Sequence, residues 1–330
     1  MTATRPLEME PLPDTTFGAV ITGIDLANLS GAMWARIDAA FNEYGVLIFP
    51  AQHLAAEAQA AFARRFGPLE DGGLKRGDGA RSISNRSPDE TVLTEQDPTW
   101  LTLSYPTRHW HMDGTFNPVP PKIGMLSAVS VPSRDGQTGF ADMRAAYDAL
   151  DQPTRERIAG LSAYHSNLIG TTRVLPRRNQ QDLASLVGDA PEDGHYGLGY
   201  RADAPLRPLV KYHPVTGRPS LFVGRHAFGV PGMTPEESER LLSRLDASAC
   251  RPPRVYEHEW QIGDLIVFDN RRMLHRALPY DDQGEARELL NCRIAGDAET
   301  DSGLATVEAQ RSVEVQRAEL ARLRGRAVHN

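Results

Sequence analysis

The segment His109-Trp110-His111-Met112-Asp113-Gly114 sets an imidazole and a carboxylate two residues apart. In an extended chain such residues face the same side, so His111 and Asp113 can aim at a common point. Alone the signal is weak, because with ten histidines and 43 acidic residues a His-x-acid pair is close to what chance supplies. Three features add to it. Trp260 to His275 reads as a turn, a buried strand, a polar corner and then a histidine, far enough along to sit on another strand of one barrel. Arg287 stands just before the apolar run Leu289–Ile294. An arginine turned into a barrel is costly unless it meets an anion, and its fork suits a carboxylate. Asp135-Gly136-Gln137-Thr138 is a turn that supplies a hydroxyl donor. Each has a plainer reading: a structural histidine, a solvated strand-end arginine, an ordinary turn.

Two imidazoles and one carboxylate on a face, with the other positions open, form the ligand set of non-haem Fe(II) oxygenases. Three open positions suit a 2-oxo acid chelating through its keto and carboxylate oxygens, together with O₂. A rival enzyme reading takes His109 and His111 as a His-x-His pair holding zinc or manganese in a cupin-like site without 2-oxoglutarate. It leaves Arg287 and Thr138 without a task. The non-enzymatic alternative is a jelly-roll binding module whose histidines are structural.

The elements that must position these residues fall in two halves. Phe17 to Ile24 reads as a strand, and Ser30 as the N-cap of a helix running to about Asn42, with Gly45 as its stop signal. Val46–Phe49 is a buried strand, followed by a helix over about Leu54 to Phe66 that ends at Gly67-Pro68. Residues 70–90 read as a loop. From Trp110 onward, short strands are expected at Ile123–Val131, Leu209–His213, Ser220–Val223, Val255–Trp260, Asp264–Phe268 and Leu289–Ile294, with one helix over about Pro235–Leu245. This pattern suggests a sandwich or barrel, of which the jelly roll is one solution. The tail from about Ala305 is a charged helix, which Val313, Leu320 and Leu323 would dock on the body or on another subunit.

Composition narrows the class. At 330 residues, 40% apolar and 24% charged, the chain can bury a large core. No repeat or biased linker divides it, so residues 1–330 are read as one domain with an N-terminal tail (1–16) and a C-terminal helical extension (about 300–330). A net charge of −7 gives no electrostatic reason to expect nucleic acid. Two cysteines exclude a disulfide framework, the N-terminus lacks a signal-peptide apolar core, and no apolar run reaches the ~20 residues that span a bilayer. A cytoplasmic, membrane-free protein acting on a small molecule is expected.

Several blocks in order carry a resemblance: Tyr44–Phe49, Phe62–Glu70, Trp110–Phe116, Asp142–Leu150, His213–Arg218 and Trp260–Arg276. From about Phe17 to Asp297 the chain resembles the taurine / 2,4-dichlorophenoxyacetate dioxygenase family, and is closer to the phenoxyacetate branch. The resemblance implies a β-rich α+β fold with a double-stranded β-helix (jelly roll) core and flanking helices. It implies metal ligands at His111, Asp113 and His275, with Fe(II) as the metal, and 2-oxoglutarate contacts at Thr138 and Arg287. The implied reaction uses O₂ to convert 2-oxoglutarate to succinate and CO₂ while hydroxylating a small, carboxylate-bearing substrate. If the hydroxylated carbon bears an ether oxygen, the hemiacetal collapses and the ether is cleaved. Halogenases of similar chemistry lack the carboxylate ligand, so Asp113 favours hydroxylation. A homo-oligomer is expected from family habit. Lys75 and His226 match substrate-pocket residues of the phenoxyacetate branch. The chain departs from the family at Asp135, where a glycine is usual, and at Asn291, where members carry an arginine for the substrate's acid group. Arg293, on the same strand face, is a candidate replacement. The pocket loops expected at about 70–90 and 166–200 would set the substrate, which the sequence does not name.

Overall fold

The computed structural model describes residues 7–70, 80–189 and 203–326. In chain order its first strands are β1 (Glu8–Pro11), β2 (Ala19–Thr22), β3 (Val46–Phe49), β4 (Arg81–Ser84), β5 (Ile123–Ser130), β6 (Thr138–Asp142) and β7 (Ser162–His165). There follow β8 (Leu206–Pro208), β9 (Val210–Tyr212), β10 (Pro219–Leu221), β11 (Ala227–Phe228), β12 (Val255–His258), β13 (Leu265–Asp269), β14 (Met273–Ala277) and β15 (Glu288–Ile294). The helices are α1 (Gly31–Tyr44), α2 (Ala56–Ala63), α3 (Met143–Asp148), α4 (Gln152–Ile158), α5 (Asn167–Val174), α6 (Arg177–Asp189), α7 (Pro235–Ala249), α8 (Ala298–Asp301) and α9 (Ser312–Arg326).

A seven-stranded sheet runs β1-β2-β3-β13-β5-β15-β4, antiparallel except where β2 meets β3. A three-stranded sheet, β12-β6-β14, supplies the opposing wall, with a second three-stranded sheet, β11-β7-β8, and the two-stranded β10-β9 besides. Alternation along the strands explains the layering. On β3, Leu47 and Phe49 join Met125, Val267 and Cys292 against α1 and α2, while Val46 and Ile48 turn inward. Those inward residues meet Phe140, Phe268 and Met273 between the two sheets. The outer side of the second sheet is sealed by Leu241, Leu242 and Leu245 of α7, packed on Met143, Leu221 and Leu274.

One helix end ties this scaffold to the site. Ser30 caps α1, its Oγ accepting from the Met33 amide, and Gly45 closes it at φ 72°. The buried Arg272 guanidinium accounts for the glycine: an added Cβ would lie 2.5 Å from it. Arg272 pairs with Asp269 at 3.1 Å and donates to the carbonyls of Phe41, Asn42 and Glu43 at the end of α1. The polar corner that leads to His275 is therefore fastened to a helix terminus whose carbonyls need donors.

Most expected elements are present within a few residues, and the differences have local causes. The 70–90 loop contains β4, a polar edge strand paired with β15. The 166–200 loop contains α5 and α6. Residues 273–277, taken as the end of a corner, form β14 and pair with β6. The tail helix α9 packs on its own body, where Val315, Leu320 and Leu323, rather than Val313, meet Tyr164, Ile169 and Phe228. No helix among the described residues is long and apolar enough to cross a membrane.

Gly45→Ala should lower unfolding stability by about 2 kcal/mol, combining the left-handed backbone cost with displacement of Arg272. Urea denaturation measures this. A variant as stable as the parent would show that Arg272 yields without cost and does not fasten α1.

Candidate active site

His111 and His275 form an isolated antiparallel bridge, exchanging amide-to-carbonyl hydrogen bonds of 3.0 and 2.8 Å. Opposed residues in such a pair project to one face, and the two rings lie 4.2 Å apart between centroids. Asp113, two residues on, brings Oδ1 to 3.8 Å from His111 Nε2 and 3.9 Å from His275 Nε2. One ligand atom from each residue lies within 4.8 Å of the others, a spacing one divalent ion can span with small side-chain shifts. Two imidazole nitrogens and one carboxylate, with no fourth protein ligand grouped among the described residues, match a metal centre that keeps positions open.

The surroundings set the chemistry of these groups. His111 Nδ1 lies 2.8 Å from the His109 carbonyl, so Nδ1 carries the proton and Nε2 presents its lone pair. This gives His109 a backbone role, and its ring makes no part of the cluster. Burial, followed by the charges of His275 and Arg225, pushes His111 well below the ordinary histidine range. Burial also lowers His275, against the pull of Asp113. His275 packs against Phe268 and stacks near Phe140, with ring centroids at 4.6 and 6.4 Å. Both imidazoles are therefore neutral at neutral pH and available to a cation. Asn270 clamps the carboxylate's backbone: its Oδ1 accepts from the Asp113 amide at 2.7 Å, and its Nδ2 donates to the carbonyls of Asp113 and Pro121.

Arg287 and Thr138, the pair expected to contact 2-oxoglutarate, are brought together. Arg287 Nε donates to the Gly136 carbonyl at 2.8 Å and Nη2 to Thr138 Oγ1 at 3.0 Å. Trp260 Nε1 donates to the same hydroxyl at 2.9 Å, so the Thr138 proton points elsewhere. Asn85 Oδ1 fixes the Arg287 amide at 2.8 Å. Among the described residues Arg287 has no carboxylate partner, and burial pulls it down to about 10. Asp135 and Gly136 both adopt left-handed backbone, at φ 63° and 70°. That explains the usual glycine at 135, and aspartate is among the residues that tolerate the conformation.

The remaining candidates separate. His226 is buried, its ring 6.0 Å from His111, and its Nδ1 lies 3.0 Å from Thr115 Oγ1. Thr115 Oγ1 also lies 3.0 Å from His165 Nδ1, which sequence reasoning missed. One hydroxyl proton cannot serve both nitrogens, so one ring accepts from Thr115 and the other donates to it. Arg293, expected as a free cation for the substrate, has its Nε 2.8 Å from Glu70 Oε2. Asn291 is half-buried with a buried Oδ1 that has no partner among the described residues. Lys75 lies outside the described residues. Arg207 was also missed: fully buried, it holds the carbonyls of Thr115, Asn117 and Asp301 at 2.6–2.7 Å. Its only sequence signal is a lone arginine in the apolar run Leu206–Leu209.

A jelly roll enclosing a His/Asp/His cluster and a buried arginine receptor defines a class, the 2-oxoglutarate-dependent dioxygenases. The chain belongs to the taurine catabolism dioxygenase TauD, TfdA family, whose model matches residues 8–293. It is 46% identical over 299 residues to the (S)-phenoxypropionate/alpha-ketoglutarate-dioxygenase of Sphingobium herbicidovorans, covering 90% of this chain and 98% of that protein. It is 36% identical over 293 residues to the alpha-ketoglutarate-dependent 2,4-dichlorophenoxyacetate dioxygenase of Cupriavidus pinatubonensis, covering 86% and 96%. The crystal structure of AAD-2 in complex with Mn(II) and N-oxalylglycine superposes with a TM-score of 0.76 at 32% identity, covering 92% of this chain and 100% of that one. The fold, the phenoxyacetate branch and the class of 2-oxoglutarate-dependent dioxygenase are thus borne out. The metal enzyme without 2-oxoglutarate and the non-catalytic module are set aside.

Asn270→Leu removes the clamp while keeping the side chain's size. It should weaken Mn(II) binding by about 10–100-fold, the usual effect of losing a ligand's support. Paramagnetic titration of the metal-free protein measures it, and an undiminished affinity would show that the clamp does not govern the site.

Proposed function

We propose that this enzyme holds iron(II) on His111, Asp113 and His275, binds 2-oxoglutarate through Arg287 and Thr138, and oxidises a small aryloxy-carboxylate. The observation that carries the reading is Arg287, a buried guanidinium just before β15 with only carbonyl and hydroxyl partners among the described residues. Such a group is stable as a receptor for an incoming anion. A 2-oxo dicarboxylate held at that centre would have its far carboxylate left for Arg287 and the Thr138 hydroxyl.

Bound there, iron(II) supplies the redox chemistry that couples decarboxylation of 2-oxoglutarate by O₂ to hydroxylation of a substrate C–H bond. The protein's own groups bind and orient. His111 and His275 offer neutral Nε2 atoms, Asp113 offers its carboxylate from the Asn270 clamp, and Phe140 and Phe268 exclude water on one side of His275. His226, set by Thr115, presents an imidazole to the chamber beside His111. The substrate class follows the relatives that act on phenoxypropionate and 2,4-dichlorophenoxyacetate. Hydroxylation at the carbon bearing the ether oxygen gives a hemiacetal or hemiketal, which collapses to a phenol and a 2-oxo acid. Two unpaired cysteines, Cys250 and Cys292, support a reducing, cytoplasmic setting.

Anaerobic addition of Fe(II) and 2-oxoglutarate to metal-free protein should give the weak visible band of an iron(II)–2-oxo acid chelate. His111→Ala should abolish the band at any 2-oxoglutarate concentration. Arg287→Ala should shift its 2-oxoglutarate dependence upward by at least about tenfold, the scale of a lost charged hydrogen bond. With O₂ and 2-phenoxypropionate, phenol and succinate should form in equal amounts. A folded, iron-loaded protein without the band would end this assignment of the site, and a band without phenol would end the substrate class.

A further inference from the structure

Two arginines, one just before β15 and one on it, have partners of different kinds. Leu289, Asn291 and Arg293 share a face of β15 by alternation, and Leu289 lies in the cluster between the two sheets. Arg287, just before the strand, has no carboxylate partner among the described residues, whereas Arg293 Nε lies 2.8 Å from Glu70 Oε2. Glu70 is built into place. Leu69 forms a β-bridge with Ile294, the Ala295 amide donates to the Pro68 carbonyl at 2.9 Å, and the Glu70 amide donates to the Arg293 carbonyl at 2.8 Å. Its second oxygen accepts from Asn117 Nδ2 at 3.3 Å. Burial works against the charge of Arg293, and the carboxylates of Glu70 and Asp113 more than offset it. Arg293 also reaches His275 electrostatically. Arg293 is therefore within electrostatic reach of Asp113 and His275, and Glu70 and Arg293 are exposed by only 13% and 24%.

We propose that Glu70 is a specificity-determining residue: by occupying the Arg293 guanidinium, it withholds the cation of this strand from the substrate. The β15 end of the chamber then receives an uncharged part of the substrate, and the acid group lies elsewhere. Released from Glu70, Arg293 would be a poorly hydrated guanidinium in a confined site, a strong receptor for a carboxylate. The inference rests on the site reading above.

The test is calorimetric titration of protein loaded with Mn(II) and 2-oxoglutarate, using phenoxyacetate and its uncharged primary amide. Glu70→Gln should raise the preference for the acid over the amide by about tenfold or more, the scale of one charged hydrogen bond. Glu70→Asp, which keeps the charge, should retain the parent preference, and adding Arg293→Gln to Glu70→Gln should remove the gain. An unchanged preference in Glu70→Gln overturns the proposal. Failure of the parent to bind 2-oxoglutarate, seen in the loading step, is the separate failure of the site reading. If circular dichroism shows Glu70→Gln to be unfolded, Arg293→Gln alone decides. A preference kept within about threefold supports the proposal. A tenfold loss of acid preference means that Arg293 already takes the acid group, and overturns it.

Discussion

Two backbone hydrogen bonds between His111 and His275 are the constraint on which the site depends. They join a short extended segment to β14, which is itself anchored to β6 in the wall of the roll. Once that exchange is made, the two imidazoles must leave the backbone on the same side, and a carboxylate two residues further on must follow them. Neither histidine needs a flexible reach to find the other. What remains is fine orientation, supplied by the His109 carbonyl, the Phe140 and Phe268 rings and the Asn270 clamp. The site is a property of strand pairing first and of side chains second, which is why a jelly roll can hold it rigidly.

Four buried or half-buried arginines show how partner chemistry separates scaffold from receptor. Arg272 faces Asp269 and three carbonyls at the end of α1. Arg207 and Arg287 are both pulled down to about 10 by burial. Yet Arg207 donates from Nε and both terminal nitrogens to carbonyls, whereas Arg287 uses Nε and Nη2 and leaves Nη1 without a protein hydrogen bond among the described residues. Arg207 is saturated and fixes the chain that follows Asp113, while Arg287 keeps donor capacity for a ligand. Arg293 is satisfied by a carboxylate from another segment.

What the sequence revealed follows the range of each signal. His111 and Asp113 were legible because strand period alone makes them neighbours, and Gly45 because helix ends demand a left-handed residue. His275 was legible as a residue, but β14 was not, since Asp269-Asn270-Arg271-Arg272 reads as a polar corner and masks the strand that resumes at Met273. β4 and α6 were hidden by polar composition: Arg81-Ser82-Ile83-Ser84 is an edge strand with little apolar pattern, and Arg177 to Gln181 carries no apolar stripe. Asn270 under Asp113, Thr115 between two histidines, and Glu70 against Arg293 are contacts between segments distant in the chain. No local periodicity encodes such pairs, so only the fold shows them.

The distribution of charge in the chamber is the last constraint. A divalent ion and Arg287 bring three positive charges, and Asp113 with a bound dicarboxylate brings three negative ones, so the inner end closes neutral when the co-substrate is in place. The Glu70–Arg293 pair adds nothing to that balance. The buried imidazoles of His111, His165 and His226 are held well below the ordinary histidine range, burial being the largest cause for each, and contribute no charge. Arg225 is different: its charge is among the causes that lower His111, His226 and His275, so its field reaches the histidine side of the chamber. An acidic substrate entering a low-dielectric space needs a cation that is not already cancelled. At this end Arg293 is already matched by Glu70, and Arg287, just before β15, is the cation the proposed reading assigns to the co-substrate. On the proposed reading, an acid group would therefore meet no uncancelled cation at the β15 end once the co-substrate is in place.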